Sequence, residues 1–197
     1  MTGRTRGGTQ PAPLSVDDVV AAALRVTKRS GLDGVTIKSV AAELGVTSPA
    51  IYHYLSGREE LVQRICERVS ARVPLTVRPD LAWDEQIVAI VVAMHRTFAA
   101  YPGVGVEVLT MSGPSPSAER IAAQMLELMQ AEGFSRRDST DAVATLFFYF
   151  SGWLLGRPPF LPGNAAAQVR MTPRLLGDGV RFVLAGFSAQ RPPAQSA

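Results

Sequence analysis

The sequence predicts an all-α fold, with a group of short helices at the N-terminus followed by a larger group of longer helices. Helix start and stop signals recur along the chain, and no segment alternates apolar and polar residues as a half-buried strand would. The composition is that of a globular protein, with 47% hydrophobic and 19% charged residues. The longest apolar run, residues 87–94, is far shorter than the ~20 residues of a membrane span.

Capping residues and glycines mark the first helices. Residues 1–13 are rich in Gly, Thr, Arg and Pro and are expected to form a disordered basic arm. Ser15 is expected to open a capping box, and Gly31 is placed to end the first helix. A second, short helix is expected between Thr36 and Gly45.

A third helix, shorter still, is expected within the segment 45-GVTSPAIYHYLSGREEL-61. Ser48 is its expected cap, with proline at the first helical position, and the helix should continue through Tyr54. Ile51 is enough to anchor so short a helix on a small core, so most of its polar side chains should face outward. The run from Ser56 to Glu59 is predicted to form a capping box that opens a fourth helix.

Two short helices joined by residues 45–47 have the proportions of a helix-turn-helix. In that motif the second helix enters the major groove of DNA and the first crosses the backbone. The charge distribution favours this interpretation, because the net charge of +3 lies wholly in residues 1–73. That part holds ten Lys and Arg against seven Asp and Glu, whereas the remainder is balanced. The N-terminal part is therefore expected to meet a polyanion.

The run 36-TIKSVAAELGVTSPAIYHYLSGREELVQRI-65 resembles the N-terminal domain of the TetR family of transcriptional regulators. The positions that match the family pattern are Thr36, Ala41, Gly45, Val46, Thr47, Ile51, Tyr52, Tyr54, Leu55, Arg58 and Leu61. The resemblance implies a three-helix, helix-turn-helix DNA-binding domain over residues 14–73. It also implies a larger helical domain for ligand binding and dimerisation over residues 80–188.

The resemblance further implies DNA contacts at nine positions. From the second helix, Thr36 and Lys38 are expected to touch phosphate or a nearby base edge. From the third helix and its exit, we expect phosphate contacts by Thr47, Ser48 and Tyr52, base contacts by Pro49, Ala50 and His53, and a clamp on the DNA backbone by Arg58. Structural alternatives stay open: Tyr52 could only cover the core, His53 could be merely solvated, and Lys38 and Arg58 could be ordinary surface charges.

Longer helices are predicted in the second part of the chain, over residues 80–101, 115–133, 135–155 and 173–187. This part resembles the C-terminal domain of the tetracycline-repressor branch of the family. That branch binds its drug with magnesium through a histidine after the Pro-Gly break, but residues 104–113 offer Glu107 and no histidine. No metal or cofactor is therefore expected here.

An apolar chamber for a small molecule is predicted among the longer helices. Its expected lining consists of apolar and aromatic side chains and one histidine: Val91, Met94, His95, Phe98, Met111, Met125, Met129, Phe147 and Trp153. The alternative is that these side chains are plain core, and that His95 is a core histidine with its hydrogen bonds satisfied.

The helix over residues 138–155 is apolar on nearly every side, which predicts burial on every side. Together with the last helix it should form a two-fold, four-helix dimer interface. The sequence thus predicts a cytoplasmic dimeric repressor that binds a palindromic operator and is released by a small apolar or amphipathic effector. One alternative is a helical ligand-binding protein that no longer reads DNA. A second alternative is an enzyme, but the sequence offers no arrangement of catalytic residues for one. The single cysteine, Cys66, is expected to be structural.

Overall fold

The computed structural model describes residues 14–76, 78–111, 115–156 and 170–190, and every regular element in these ranges is helical. The helices are α1 Val16–Ser30, a 3-10 turn Leu32–Gly34, α2 Ile37–Leu44, α3 Ser48–Ile51, α4 Arg58–Ser70, α5 Trp83–Ala99, α6 Val104–Thr110, α7 Pro116–Ala131, α8 Arg136–Leu155 and α9 Pro173–Ala189. The predicted all-α class is confirmed. The predicted arm, residues 1–13, lies outside the described residues.

We call α1, the 3-10 turn, α2 and α3 the head. Its first two helices begin as predicted: Ser15 and Asp18 form a capping box on α1, and Thr36 forms another on α2 with Ser39. Gly45 ends α2 with φ of 68°, in the left-handed region that glycine enters without a steric penalty. The turn between α2 and α3 is therefore set by local sequence.

The third helix is shorter than predicted. Helix α3 ends at Ile51, its N-cap is Thr47 rather than Ser48, and Tyr52 to Tyr54 form a turn. The backbone N–H of Tyr54 donates to the carbonyl of Ile51 at 2.9 Å, a tightened i to i+3 bond. The reason for the turn is Leu55, which is buried, so the chain must bend back into the core directly after the helix.

The predicted capping box from Ser56 to Glu59 is wrong, because the carboxylate that reaches back belongs to Glu60. Its Oε2 accepts the backbone N–H of Ser56 at 2.8 Å and the Ser56 hydroxyl at 2.9 Å. The N-cap of α4 is Gly57. The backbone N–H of Ser56, helped by Arg64, lowers the pKa of Glu60 to about 2.

We call α5 to α9 the body, and α4 lies between head and body. Helix α4 packs against α1 on one side and against α5, α6 and α7 on the other. Within the body, α9 packs on α5 and α8, and α7 packs on α5 and α8. Helix α5 starts at Trp83, three residues after the predicted start, while the predicted break at Pro102 and Gly103 is present.

One observation bears on membranes. No single helix in the described ranges is long and apolar enough to cross a bilayer; α5 and α6 together reach that length and composition but bend by 112° at their junction.

Candidate nucleic-acid interface and apolar cavity

The outer side chains of α3 and of the turn after it are not packed in the core. Ile51 is fully buried and holds the helix on the head. Tyr52, by contrast, is 58% exposed, and Pro49 and His53 are exposed as well. Thr47 is also exposed, whereas Ser48 and Ala50 are half-buried. The structure therefore brings the predicted third-helix residues together on one outward surface.

Two more of the predicted residues lie at the start of helix α2. The Thr36 Oγ1 accepts the backbone N–H of Ser39 at 3.0 Å, so this hydroxyl serves as a cap whatever else it contacts. Lys38 is exposed. Among residues 14–73 it is the one cation that has no described partner.

The other basic residues of this part are engaged within the protein. Glu43 accepts from Arg25 at 2.7 Å and from Arg29 at 2.9 Å, and Arg25, more than Arg29, lowers the pKa of that carboxyl. Arg64 pairs with Glu60, Arg68 with Asp17, and Lys28 and Arg72 lie against Tyr101. Much of the positive charge counted in the sequence is therefore used in internal contacts.

Arg58 lies differently from its predicted role. Its Nε donates to the carbonyl of Val35 at 2.9 Å, and its Nη2 lies 3.4 Å from the carbonyl of Leu32. These contacts tie the start of α4 to the segment that leads into α2. The DNA clamp stays a prediction for Arg58, while a structural role has direct geometric support.

The body contains an apolar cavity of 460 Å³ that is partly open to solvent, a size that suits a small-molecule ligand. Five helices contribute to its wall: α4 supplies Ser70, α5 supplies Val91, Met94 and Phe98, α6 supplies Gly105, Val108 and Leu109, α7 supplies Ala118, Ile121, Ala122, Met125 and Leu126, and α8 supplies Thr140, Val143, Ala144, Leu146, Phe147, Phe150 and Leu154. None of the described residues that line the cavity is charged.

Five of the nine predicted ligand residues line this cavity: Val91, Met94, Phe98, Met125 and Phe147. Met129 does not, because the lining part of α7 ends at Leu126 and Met129 is fully buried in the core beyond it. Met111 packs against the core without lining the cavity. For these two methionines the core alternative fits the structure.

His95 and Trp153 line a second, adjoining cavity of 350 Å³ instead. The Trp153 Nε1 donates to His95 Nδ1 at 3.2 Å, so a neutral His95 ring carries its proton on Nε2. Burial, with Arg96 adding to it, lowers the pKa of His95. The interpretation of His95 as a core histidine with a hydrogen-bond partner is thus supported, although the ring also faces a cavity.

Sequence reasoning missed the polar contacts between α4 and α7. Glu67 accepts the Ser117 hydroxyl at 2.6 Å and the Ser117 backbone N–H at 3.1 Å, so a carboxylate on α4 caps the start of α7. It also missed Ser70, which is 1% exposed at the cavity wall. The only signal was a glutamate and a serine three residues apart near the end of α4, which helical periodicity alone does not interpret.

Comparison with known proteins gives a consistent result. Residues 19–65 match the family model for bacterial regulatory proteins of the tetR family. The tetracycline repressor protein class A from transposon 1721 of Escherichia coli is 29% identical over 148 residues, which is 72% of this chain and 66% of that repressor.

Solved structures share the fold. ActR of Streptomyces coelicolor, in complex with actinorhodin, has a TM-score of 0.73 at 19% identity, covering 93% of this chain and 99% of that one. BioQ, with its natural double-stranded DNA operator, has a TM-score of 0.71 at 24% identity, covering 90% of this chain and 100% of that one. With the motif over residues 36–65 and the head described above, the family-model match to residues 19–65 and the curated relatives support a TetR-family transcriptional regulator.

Proposed function

We propose that the protein is a cytoplasmic repressor that binds a palindromic operator as a homodimer and is released by a small apolar or amphipathic effector. The observation that carries this proposal is the position of α4. Its first residue, Arg58, holds carbonyls of the head, and its last, Ser70, belongs to the cavity wall. The 13 residues of α4 span roughly 20 Å, so one rigid element joins both sites.

The DNA contacts would come from the outward surface of α2 and α3. Lys38 supplies a free positive charge for a phosphate, and the Tyr52 hydroxyl is exposed for a second phosphate contact. Pro49, Ala50 and His53 would lie against the bases, where the apolar pair favours thymine methyl groups. That BioQ was solved with its operator supports this use of the shared fold.

A second connection between cavity and head runs through the start of α6. Gly105, Val108 and Leu109 line the cavity, and just before this helix the carbonyl of Pro102 accepts the backbone N–H of Leu32 at 2.9 Å. An effector that prefers one position of α4 or α6 would therefore shift the head. Two heads displaced in this way no longer match the spacing of an operator's half-sites.

The dimer interface would form on α8 and α9, which pack side by side. These helices leave large apolar side chains exposed, among them Phe148 at 72% and Phe182 at 78%; the others are Phe147, Leu155 and Leu175. Several large apolar side chains exposed on two helices that pack together are typical of an interaction surface. The predicted burial of the α8 helix on every side would thus be completed by a second copy.

The test measures binding of the protein to DNA fragments from around its own gene. Binding is monitored by fluorescence anisotropy over a range of salt concentrations. We expect sequence-dependent binding that weakens with salt, and a salt slope reduced by about one for Lys38→Ala. Tyr52→Phe should weaken binding without changing that slope, because it removes a neutral hydroxyl. If no fragment binds more tightly than random DNA, the result would contradict the proposal and favour the alternative of a ligand-binding protein that does not read DNA.

The enzyme alternative is not supported. The family consists of DNA-binding regulators, in agreement with the prediction that this chain has no catalytic role.

A further inference from the structure

Ser70, the last residue of α4, is an unusual member of the cavity wall. Its side chain is 1% exposed, and its Oγ is the one buried side-chain polar atom in the described ranges without a hydrogen-bond partner. A serine near the end of a helix commonly donates to the carbonyl four residues earlier, here that of Cys66, and this bond is not made. The hydroxyl is therefore left over from the packing of its own helix.

The remainder of the wall offers no other such group. Thr140 is the second hydroxyl that lines the cavity, but its Oγ1 donates to the carbonyl of Arg136 at 2.8 Å and the residue is exposed. The other described residues that line the cavity have apolar side chains or, for Gly105, none. Among the described residues of the wall, Ser70 at the end formed by α4 is thus the one whose hydroxyl has unused hydrogen-bonding capacity.

An unpartnered hydroxyl in an apolar environment is unfavourable, because folding removes its hydrogen bonds to water without replacing them. Alanine would fill the same position on the helix without that cost. Buried polar groups that stay unpaired call for an explanation, and a partner that arrives with a ligand is a direct one.

We propose that Ser70 is the hydrogen-bonding anchor of the cavity. Its ligand is a neutral, mainly apolar molecule that presents one hydroxyl or carbonyl group to the end of α4. Charged ligands are excluded by the absence of any charged or second free polar group on the described wall. This inference rests on the proposed effector site and narrows the chemical class of the effector.

The anchor also lies next to the contact between α4 and α7. Ser70 follows Glu67 by three residues, so both side chains lie on neighbouring positions of one helix face. Glu67 holds Ser117 at the start of α7. A hydrogen bond between the ligand and Ser70 would therefore form in the same turn of α4 that contacts α7 through Glu67.

The experiment uses two probes of matched shape, naphthalene and 2-naphthol, which differ by one hydroxyl. Binding of each to the full-length protein is measured by equilibrium dialysis for the wild type, Ser70→Ala and the matched control Thr140→Val. We expect Ser70→Ala to weaken 2-naphthol binding about two- to tenfold, the range of one net hydrogen bond, and to leave naphthalene binding unchanged. Thr140→Val alters a wall residue whose hydroxyl is already bonded, so it should change the affinities of both probes by the same factor.

A further variant, Ala122→Trp, fills the cavity and should abolish binding of both probes if they occupy it. Equal effects of Ser70→Ala on both probes, or no effect on either, would overturn the anchor while leaving the effector cavity in place. Failure of both probes to bind the wild type, or binding that survives Ala122→Trp, would overturn the anchor and count against the effector cavity itself.

Discussion

The head and the body are built in opposite ways. In the head, the central side chains Val35, Val40 and Ile51 are fully buried, and the proposed DNA-contact residues Lys38 and Tyr52 are exposed. In the body, the inward-facing side chains surround a cavity of 460 Å³. The head thus exposes its proposed binding residues by filling its core, whereas the body forms its proposed binding site by leaving its core unfilled.

The largest expected effect comes from comparing one isoleucine of the head with one of the body. Ile51→Ala removes fully packed side-chain atoms from the head and should lower the free energy of unfolding by about 2–5 kcal/mol. Ile121→Ala removes a side chain that already faces the cavity, so its loss should fall at or below the lower end of that range. Urea denaturation of both variants gives the comparison. Equal losses would show that the cavity wall is as tightly packed as the head.

A second test concerns the contact where head and body meet. Gly103 and Gly45 both have positive φ, 89° and 68°. A Cβ at Gly45 meets nothing within 4 Å, whereas at Gly103 it would lie 2.9 Å from the Leu32 Cβ. Gly45→Ala should therefore cost about 1 kcal/mol from backbone strain alone, and Gly103→Ala about 2–3 kcal/mol. Thermal or urea unfolding measures the loss of stability in both variants. A smaller loss for Gly103→Ala than for Gly45→Ala would mean that Leu32 moves aside at little cost.

A third test separates charge used for structure from charge left for DNA. Arg58→Ala should lower the unfolding free energy by about 1–2 kcal/mol, because the carbonyl of Val35 loses a charged donor. Lys38→Ala should leave stability unchanged and reduce the salt slope of DNA binding by about one. Should Arg58→Ala leave stability intact and reduce only the salt slope, the original prediction of a DNA clamp would be correct.

The smallest expected effect is a dependence on pH. The pKa of Glu60 is lowered from 4.5 to about 2, so its contribution to stability is complete above about pH 4.5 and is lost as the pH falls through about 2. Because the carboxylate is partly open to solvent, this contribution should be below about 1 kcal/mol. The stability difference between wild type and Glu60→Gln should shrink as the pH falls from 7 to 2. A constant difference would place the contribution elsewhere.

The sequence predicted the head better than the body because the head depends on local signals. Ser15, Thr36 and Gly45 each act within four residues, and all three have the predicted roles. The predicted length of α3 was wrong because the end of this helix depends on the burial of Leu55, which is a tertiary effect. The cap was assigned to Glu59 because Glu59 follows Ser56 by three residues, whereas the N-cap is Gly57 and the third helical residue is Glu60.

The cavity was only partly predictable for a related reason. Helical spacing grouped Val91, His95 and Phe98 on one side of α5, but it cannot distinguish a cavity wall from a filled core, and His95 lines the second cavity. Met129 shows this, since it follows Met125 by one turn and yet lies beyond the cavity. Ser70 was missed because its importance lies in a hydrogen bond that the fold does not make.

The most direct test of the account is selection of bound duplexes from a pool of random DNA by the full-length wild-type protein. The account predicts enrichment of a sequence with two inverted half-sites, since a two-fold dimer presents two copies of the α2 and α3 surface. Binding to that sequence should fall steeply with salt. Enrichment of no sequence, or of a single half-site without symmetry, would contradict the proposal that this surface reads a palindromic operator as a dimer.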